Sequence, residues 1–177
     1  ESSIYKMGNK SLKVISQIYT KKKTENDLRK KLLYVLYHIR TKKSHRLLIQ
    51  LAHHSDISVK KTSFELLFKS RKNGKKSILK KKELIKLIDK ESAKYKELVR
   101  IYWSLKISQR SDKRTNGVIS LVEKNIIEQL VLKVDQCISD QLEIIFNLLS
   151  QRYNPEDVYV AYKGMTSKET VSRLHSM

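Results

Sequence analysis

The sequence predicts an all-α fold, an α-solenoid of helical hairpins that also contains one long antiparallel pair of helices. Glycine occurs four times and proline once in 177 residues, too few for the many tight turns of a β-sandwich or β-barrel. Apolar residues recur at helical spacing along most of the chain. With 40% hydrophobic and 32% charged residues, the composition is typical of a folded domain and not of a disordered basic tail.

Residues 1–76 are predicted to form short helical hairpins. An apolar stripe at helical spacing covers residues 3–20, and a run of lysines interrupts it. Thr24 is predicted to cap the second helix, a third helix is predicted over residues 44–53, and Asp56 is predicted to cap a fourth, which an Asn-Gly pair ends. Each paired unit spans about 30 residues, which is near the period of helical repeats.

Residues 77–152 are predicted to form a long αα-hairpin. A stripe at helical spacing continues without glycine or proline and includes the carboxylate Glu91. A polar loop at residues 109–117 separates it from a second, equally long stripe, which predicts two antiparallel helices. The first stripe contains Leu84, Leu87, Ile88, Glu91, Tyr95, Leu98, Tyr102 and Leu105.

Residues 153–177 are predicted to begin a further repeat. The Asn-Pro pair at 154–155 ends the long hairpin and starts a short helix over residues 156–162, because proline suits the first turn of a helix. Gly164 is predicted to close this helix. Ser167 is predicted to begin a last helix that the chain end truncates, which makes eight helices and no strand.

Several features of the whole chain indicate the cellular compartment of the protein. The sequence contains no run of about 18 to 20 apolar residues and no signal peptide. The single Cys137 excludes an intramolecular disulfide framework and fits a reducing compartment. The chain begins with Glu1 and not with methionine, so we expect it to be a piece of a longer protein. These features predict a cytoplasmic domain.

Positive charge is concentrated in residues 1–82, where 23 lysines and arginines are opposed by five carboxylates, whereas residues 83–177 are nearly neutral. This asymmetry raises the question of an anionic partner. Lysine pairs and triplets at predicted turns and outer helix faces form the candidate anion-facing surface. Its members are Lys21, Lys22, Lys23, Lys30, Lys31, Lys42, Lys43, Lys60, Lys61, Lys75, Lys76, Lys80, Lys81 and Lys82.

Arginine is scarce in the same region. Residues 1–82 contain only Arg29, Arg40, Arg46 and Arg71, although a phosphate-clamping surface tends to use the bidentate arginine fork. Diffuse lysine charge favours nonspecific attraction or solubility. An A+T-rich coding sequence is an alternative origin, since 29 of the 38 basic residues are lysine.

Two segments resemble a known family. The sequence LAHHSDISVKKTSFELL at residues 51–67 resembles a HEAT repeat, in which a helix end is followed by a turn with an aspartate and then by valine, a basic residue, a small residue and leucine. The sequence IIFNLLSQRYNPEDVYVAYKG at residues 144–164 resembles a segment in the HEAT-repeat regions of bacterial proteins whose membrane half is similar to nucleotide (ATP/ADP) carriers of the major facilitator type. Asn154 stands where a second proline is expected.

The resemblance implies a HEAT-like (armadillo-like) repeat domain that is the cytoplasmic appendage of a bacterial membrane protein, at the inner face of the inner membrane. It implies a scaffold or regulatory module without chemistry of its own. Transport is not assigned to this chain, which lacks the membrane helices of such carriers.

Residues that invite catalytic or metal-binding hypotheses have simpler explanations. Cys137 lies on an apolar helix face, while Asp135, Asp140 and Glu143 fall mostly on the polar side of the same helix, and no glycine-rich phosphate loop is present. Trp103 alone does not provide the aromatic cluster of a HEAT-like DNA glycosylase. The histidines lack partners at zinc spacing, and the nearest to one another are His38, His45, His53 and His54.

The sequence therefore predicts a non-enzymatic helical-repeat scaffold with no cofactor and no metal. The expected partner is a protein, and the basic surface could also face an anionic membrane. The alternative is a nucleic-acid-binding HEAT-like protein that uses the basic N-terminal half.

Overall fold

A computed structural model of the protein describes residues 8–21, 24–74, 76–77, 79–112 and 121–167. Within these residues the chain is helical and no strand occurs, which confirms the predicted all-α class. A short 3-10 turn, Gly8–Lys10, precedes the first helix. The helices are α1 (Ser11–Thr20), α2 (Asn26–Ile39), α3 (Lys42–Leu51), α4 (Ile57–Lys72), α5 (Lys81–Asp112), α6 (Leu121–Leu149) and α7 (Pro155–Thr166).

Two predicted helix starts are confirmed. Asp56 caps α4, because its Oδ1 atom accepts a hydrogen bond from the backbone N–H of Val59 at 3.0 Å. Asn154 caps α7 in the same way by accepting from Glu156, and Pro155 takes the first helical position. At the other end of α4 the chain leaves the helix through Gly74, whose φ of +78° is the left-handed conformation that glycine adopts easily.

The start of α2 differs from the prediction. Thr24 does not cap this helix, because its hydroxyl donates to the carbonyl of Ile18 at 2.6 Å and closes the turn after α1. Glu25 takes the N-cap position without a side-chain cap hydrogen bond. Asn26, the first residue of the helix, donates from its side-chain amide to Asp56 at 2.8 Å and so ties the starts of α2 and α4 together.

Two further boundaries are corrected. Helix α3 begins before the predicted position because Thr41 and Ser44 form a capping box, in which each side chain accepts the other residue's backbone N–H at 3.1 Å. Helix α7 passes through Gly164, since a glycine inside a helix costs only about 1 kcal/mol relative to alanine. Ser167 is the C-cap of α7, and the last helix predicted beyond it lies outside the described residues.

The hydrophobic core lies where α2, α3, α4 and α6 meet. Helix α2 contacts α1, α3 and α4, and α4 contacts α3, α6 and α7. The short helices are too short to be stable alone, so burial of these faces stabilises them. The apolar side chains with less than 2% of their surface exposed are Phe64, Leu33, Leu36, Leu48, Leu66, Leu67, Ile144, Leu148, Val59 and Ala52.

Helices α5 and α6 pack against each other as the predicted long hairpin. Gln141, in the second half of α6, donates a hydrogen bond to Glu91, in the first half of α5. A contact between the late part of one helix and the early part of the other is expected when the two helices run antiparallel. Helix α5 has 32 residues and is therefore about 48 Å long. Residues 109–112, which the sequence predicts as the start of a loop, belong to α5, and residues 113–120 lie outside the described residues.

The far part of this hairpin contains most of its exposed large apolar side chains, and one more, Ile85, is exposed near the start of α5. The predicted α5 stripe is the less exposed face of that helix along its whole length. Large apolar side chains that are more than two-fifths exposed on α5 and α6 are Ile85, Ile101, Trp103, Ile107, Ile126, Leu130 and Leu132.

Candidate functional site

The lysines of the predicted anion-facing surface differ in exposure. Lys30 and Lys61 are half-buried, and Lys60 is buried. Lys22, Lys23 and Lys75 lie outside the described residues. The exposed members are Lys21, Lys31, Lys42, Lys43, Lys76, Lys80, Lys81 and Lys82.

The prediction that Lys60 faces outward is wrong. Its side chain shares the buried face of α4 with Phe64 and Leu67, four and seven residues further on, and Lys60 is only 6% exposed. Its Nζ atom lies 3.2 Å from Oε2 of Glu91, which is 2% exposed. The two residues form a buried ion pair between α4 and α5, so this ammonium group is not available to an external anion.

Two further residues complete the buried ion pair. Gln141 on α6 donates from Nε2 to Oε2 of Glu91 at 2.8 Å and to the Glu91 backbone carbonyl at 3.1 Å. Lys94, one turn along α5, places Nζ 3.3 Å from Oε1 of the same carboxylate. Although burial disfavours the charge, the Gln141 hydrogen bond and the charges of Lys60 and Lys94 hold the pKa of Glu91 below its ordinary value. Glu91 is therefore ionised and links α4, α5 and α6.

Lys61 makes a second link between α4 and α6. Its Nζ atom lies 2.8 Å from carboxylate oxygens of both Asp140 and Glu143. Burial opposes the charge, but these two hydrogen bonds raise the pKa of Lys61 above its ordinary value. Asp140 and Glu143 lie on the polar side of α6, as the sequence predicts, and they hold a lysine of the neighbouring helix.

Five cationic side chains line one pocket of about 480 Å³. It lies where the α2–α3 turn, the end of α4, the α4–α5 connection and the turn after α6 come together. None of the described residues that line it is a carboxylate. Three of the four arginines in residues 1–82 line it, and one of them, Arg71, comes from a different part of the chain than the other two. The cations are Arg40, Lys42, Arg46, Arg71 and Lys76, and we call this site the basic pocket.

Hydrogen bonds fix the wall of the basic pocket. The buried His45 ring places Nδ1 2.9 Å from the Thr41 carbonyl and Nε2 2.9 Å from the Ser70 hydroxyl. A carbonyl can only accept, so Nδ1 carries a proton and donates to it, and in the neutral ring the Ser70 hydroxyl donates to Nε2. Arg71 donates from Nε to the Ser150 carbonyl at 3.1 Å. These bonds join α3, α4 and the turn after α6 around the pocket.

Two features of the basic pocket are unfavourable for folding. Gln151 lines the pocket and is 6% exposed, and its Nε2 amide has no hydrogen-bond partner among the described residues. A buried donor without a partner costs about 1–3 kcal/mol. Arg40, between α2 and α3, has φ of 58° and ψ of 21°, a left-handed conformation that costs a non-glycine residue about 1–2 kcal/mol. Glycine is the usual residue at such a helix end.

A smaller, apolar groove of about 190 Å³ lies between α4, α6 and α7. Phe68, Phe146, Tyr159 and Tyr162 line it, and the rings of Phe146 and Tyr162 lie 5.4 Å apart. Asn147 is 8% exposed, and its Nδ2 atom is buried without a hydrogen-bond partner in the described part of the chain. The segment at residues 144–164, which carries the second family resemblance, therefore forms an aromatic contact between α6 and α7.

The candidate metal-binding histidines are dispersed. Across the described ranges, no group of three or more His, Cys, Asp and Glu residues could hold a metal ion. His54 accepts the backbone N–H of Asp56 through Nδ1 at 3.1 Å, and His38 contacts a tyrosine ring. Burial and neighbouring cations lower the pKa of both His53 and His54. His45 belongs to the wall of the basic pocket.

The remaining candidates lie on the long hairpin. Cys137 is a free, half-buried thiol on α6. Trp103 is 43% exposed on α5, and its ring contacts Tyr102 edge-on with centroids 5.9 Å apart. Among the helices in the described ranges, none is long and apolar enough to cross a membrane.

Neither a known protein family, nor a curated protein, nor a solved structure matches the chain.

Proposed function

We propose that this protein is a non-enzymatic helical-repeat scaffold, built as a HEAT-like α-solenoid, that binds an acidic protein partner. One observation supports the repeat arrangement. The second helices of the successive hairpins, α2, α4 and α6, contact one another in chain order, and each also contacts the helix that precedes it. Hairpins that stack in this way bury one face against the next hairpin and leave connections and outer faces free for partners.

The distribution of charge supports an acidic partner. The lysines at positions 80–82, 42–43, 21 and 31 are exposed, and residues 1–82 contain 23 basic residues against five acidic ones. Among the lysine pairs that the structure describes in full, the pair at 60–61 is withdrawn from solvent and is held by carboxylates of α5 and α6. The remaining positive surface can attract a partner of opposite charge and accelerate its association.

Exposed apolar side chains favour a protein over a nucleic acid. Trp103 and Ile107 lie one turn apart on α5, and they are 43% and 61% exposed. Ile126 and Leu130 have the same spacing on α6 and are 53% and 47% exposed. Aromatic and large apolar residues are enriched at the centres of protein interfaces, whereas nucleic-acid interfaces are more polar.

The resemblances in residues 51–67 and 144–164 extend the proposal to the cellular setting. We propose that the chain is the cytoplasmic portion of a longer bacterial, carrier-like membrane protein and acts at the inner face of the membrane. Sequencing the full gene tests this directly. Hydrophobic spans upstream of the chain support it, and an ordinary start codon immediately before Glu1 overturns it.

The binding proposal is tested with three anionic probes: poly-glutamate, labelled duplex DNA, and vesicles with or without anionic lipid. Each is titrated with the full chain across a salt series that includes physiological ionic strength. We expect saturable binding of poly-glutamate and weaker, steeply salt-dependent binding of DNA. Tighter binding of DNA than of poly-glutamate at physiological salt would overturn the protein-partner proposal and support the nucleic-acid alternative.

A pair of variants locates the contact surface. Reversing the charges of Lys80, Lys81 and Lys82 to glutamate is expected to weaken poly-glutamate binding. The matched control reverses Lys90, Lys96 and Lys133, which are exposed on α5 and α6, and is expected to weaken it less. Equal losses in the two variants would mean that only net charge matters.

A further inference from the structure

We propose that the apolar groove between α4, α6 and α7 is a binding site for a small, neutral aromatic compound that carries a carbonyl oxygen. Four aromatic rings and the amide of Asn147 line this groove of about 190 Å³. The site is independent of the scaffold proposal, because none of the lysines of the anion-facing surface is among its described lining residues.

The volume of the groove suits a single ring. An apolar cavity of about 150 Å³ can hold benzene, whereas sites for drug-sized compounds enclose about 300–1,000 Å³. At about 190 Å³ the groove has room for one ring with a small substituent. A compound with several rings would extend beyond it into solvent.

Aromatic side chains form the walls of the groove. Phe68, Phe146 and Tyr162 are half-buried, so each keeps part of its apolar surface accessible. The rings of Phe146 and Tyr162 are 5.4 Å apart and tilted by 56°. Aromatic rings attract one another in offset or edge-to-face arrangements at such distances. A planar ligand in the groove can therefore contact several rings at once and bury their remaining apolar surface.

The charged groups that line the groove are paired, which favours a neutral ligand. Lys69 places Nζ 2.8 Å from a carboxylate oxygen of Glu65. The carboxylate of Glu143 holds Lys61 of α4 at the same distance. An ionised ligand would lose its hydration without finding an unpaired counter-charge among the described residues of the lining.

Asn147 accounts for the carbonyl oxygen of the ligand. It is 8% exposed and lines the groove, and its Nδ2 atom has no hydrogen-bond partner in the described ranges. A buried amide donor without a partner is unfavourable, and an acceptor that enters with a ligand relieves that cost. The χ2 torsion of asparagine is broad, so the amide can turn its donor towards the groove. A carbonyl oxygen only accepts hydrogen bonds and so matches a donor.

Titration of the isotope-labelled full chain with acetophenone, monitored through backbone amide chemical shifts, tests the proposal. We expect one saturable site with a dissociation constant of about 1 mM or tighter, which is within reach of a ligand of this size. The shifts should change around residues 65–69, 143–147 and 158–162, which contain the lining. No saturable change at these amides overturns the proposal. If the same shifts depend on protein concentration without ligand, a second copy of the chain fills the groove, which also overturns it.

A comparison of two ligands isolates the hydrogen bond of Asn147. Toluene fills a similar volume and has no oxygen, and Asn147→Leu keeps the approximate shape of the side chain and removes the unpartnered amide. The substitution is expected to weaken acetophenone binding by about fivefold or more and to leave toluene binding unchanged or tighter. The melting temperature of the free variant should not fall, because a buried donor without a partner is removed. An equal change for the two ligands overturns the assignment of a carbonyl-bearing compound.

Two tyrosine variants locate the site. Tyr159 lines the groove and is 45% exposed, whereas Tyr153 is 54% exposed and is not among the lining residues. Tyr159→Ala is expected to weaken acetophenone binding by about threefold or more through loss of a ring contact, and Tyr153→Ala by less than about twofold. Equal effects of the two substitutions overturn the location. Absence of acetophenone binding with poly-glutamate binding retained would count against this site alone and leave the scaffold proposal standing.

Discussion

Replacement of Glu91 by glutamine is expected to destabilise the protein strongly, because it leaves the Lys60 ammonium group buried without a counter-charge. The Lys60 Nζ and Glu91 Oε2 atoms are 3.2 Å apart. At an effective dielectric constant of 20, two unit charges at this distance attract each other by about 5 kcal/mol. Desolvation of both ions opposes this attraction, so the intact pair contributes little net stability, whereas loss of one partner costs about 3–5 kcal/mol.

Urea unfolding followed by circular dichroism measures this cost in Glu91→Gln. The double variant Lys60→Met/Glu91→Met provides the comparison, since Gln141 keeps the backbone carbonyl of residue 91 as an acceptor. We expect the double variant to lie within about 1 kcal/mol of the wild type, because apolar residues of similar size can replace a buried ion pair. A loss below about 1 kcal/mol in the single variant, or a double variant as unstable as the single one, would refute the reasoning.

The same pair gives a dependence of stability on pH. The folded-state pKa of Glu91 is lower than its ordinary value of 4.5. Its stabilising contribution is therefore complete above pH 4.5 and is lost as the pH falls through the lower, folded-state pKa. The free energy of unfolding of the wild type should decrease over this acid range more steeply than that of Glu91→Gln.

Three other predictions follow from single residues. Asp56→Ala removes the cap of α4 and the bond from Asn26, and should lower the free energy of unfolding by about 1–2 kcal/mol or more in urea titration; an unchanged midpoint would contradict the capping role. Arg40→Gly relieves the left-handed strain and should leave stability unchanged or higher by up to about 1 kcal/mol; a stability loss above about 1 kcal/mol would show that strain relief is not the main effect. Burial raises the pKa of Tyr19 to about 12, and its hydroxyl donates to the Leu51 carbonyl at 2.9 Å. Ultraviolet titration should therefore lose one late-ionising tyrosine in Tyr19→Phe, and an unchanged titration curve would contradict this environment.

The sequence predicted the helices well because their signals are local. Asp56, Asn154 and the apolar stripes act within a few residues of their positions in the chain, and the long hairpin follows from helical phase alone. The helix boundary predicted at Thr24 was wrong because the hydroxyl of this residue bonds to the preceding helix. The boundary predicted at Gly164 was wrong because a glycine inside a helix costs little free energy.

The candidate sites were harder to predict because they depend on contacts between distant residues. The sequence did contain an indication that Lys60 is buried, since it shares its helix face with Phe64 and Leu67. Burial of Glu91 was likewise indicated by its place within an apolar stripe. The match between the two charges depends on α6, because both α4 and α5 pack against that helix. The basic pocket carried no comparable signal, because Arg40 and Arg71 are 31 positions apart and only the fold brings them together.

The most direct test of the proposed binding surface is a titration of the isotope-labelled full chain with poly-glutamate at physiological ionic strength, monitored through backbone amide chemical shifts. If the basic N-terminal half binds the partner, the shifts should change around the exposed lysines at positions 21, 31, 42–43 and 80–82. Amides in the outer part of the α5–α6 hairpin should change little, since the acidic probe has no apolar side chains to place there. Changes confined to the hairpin, or no saturable change at any residue, would contradict an acidic-partner surface in residues 1–82.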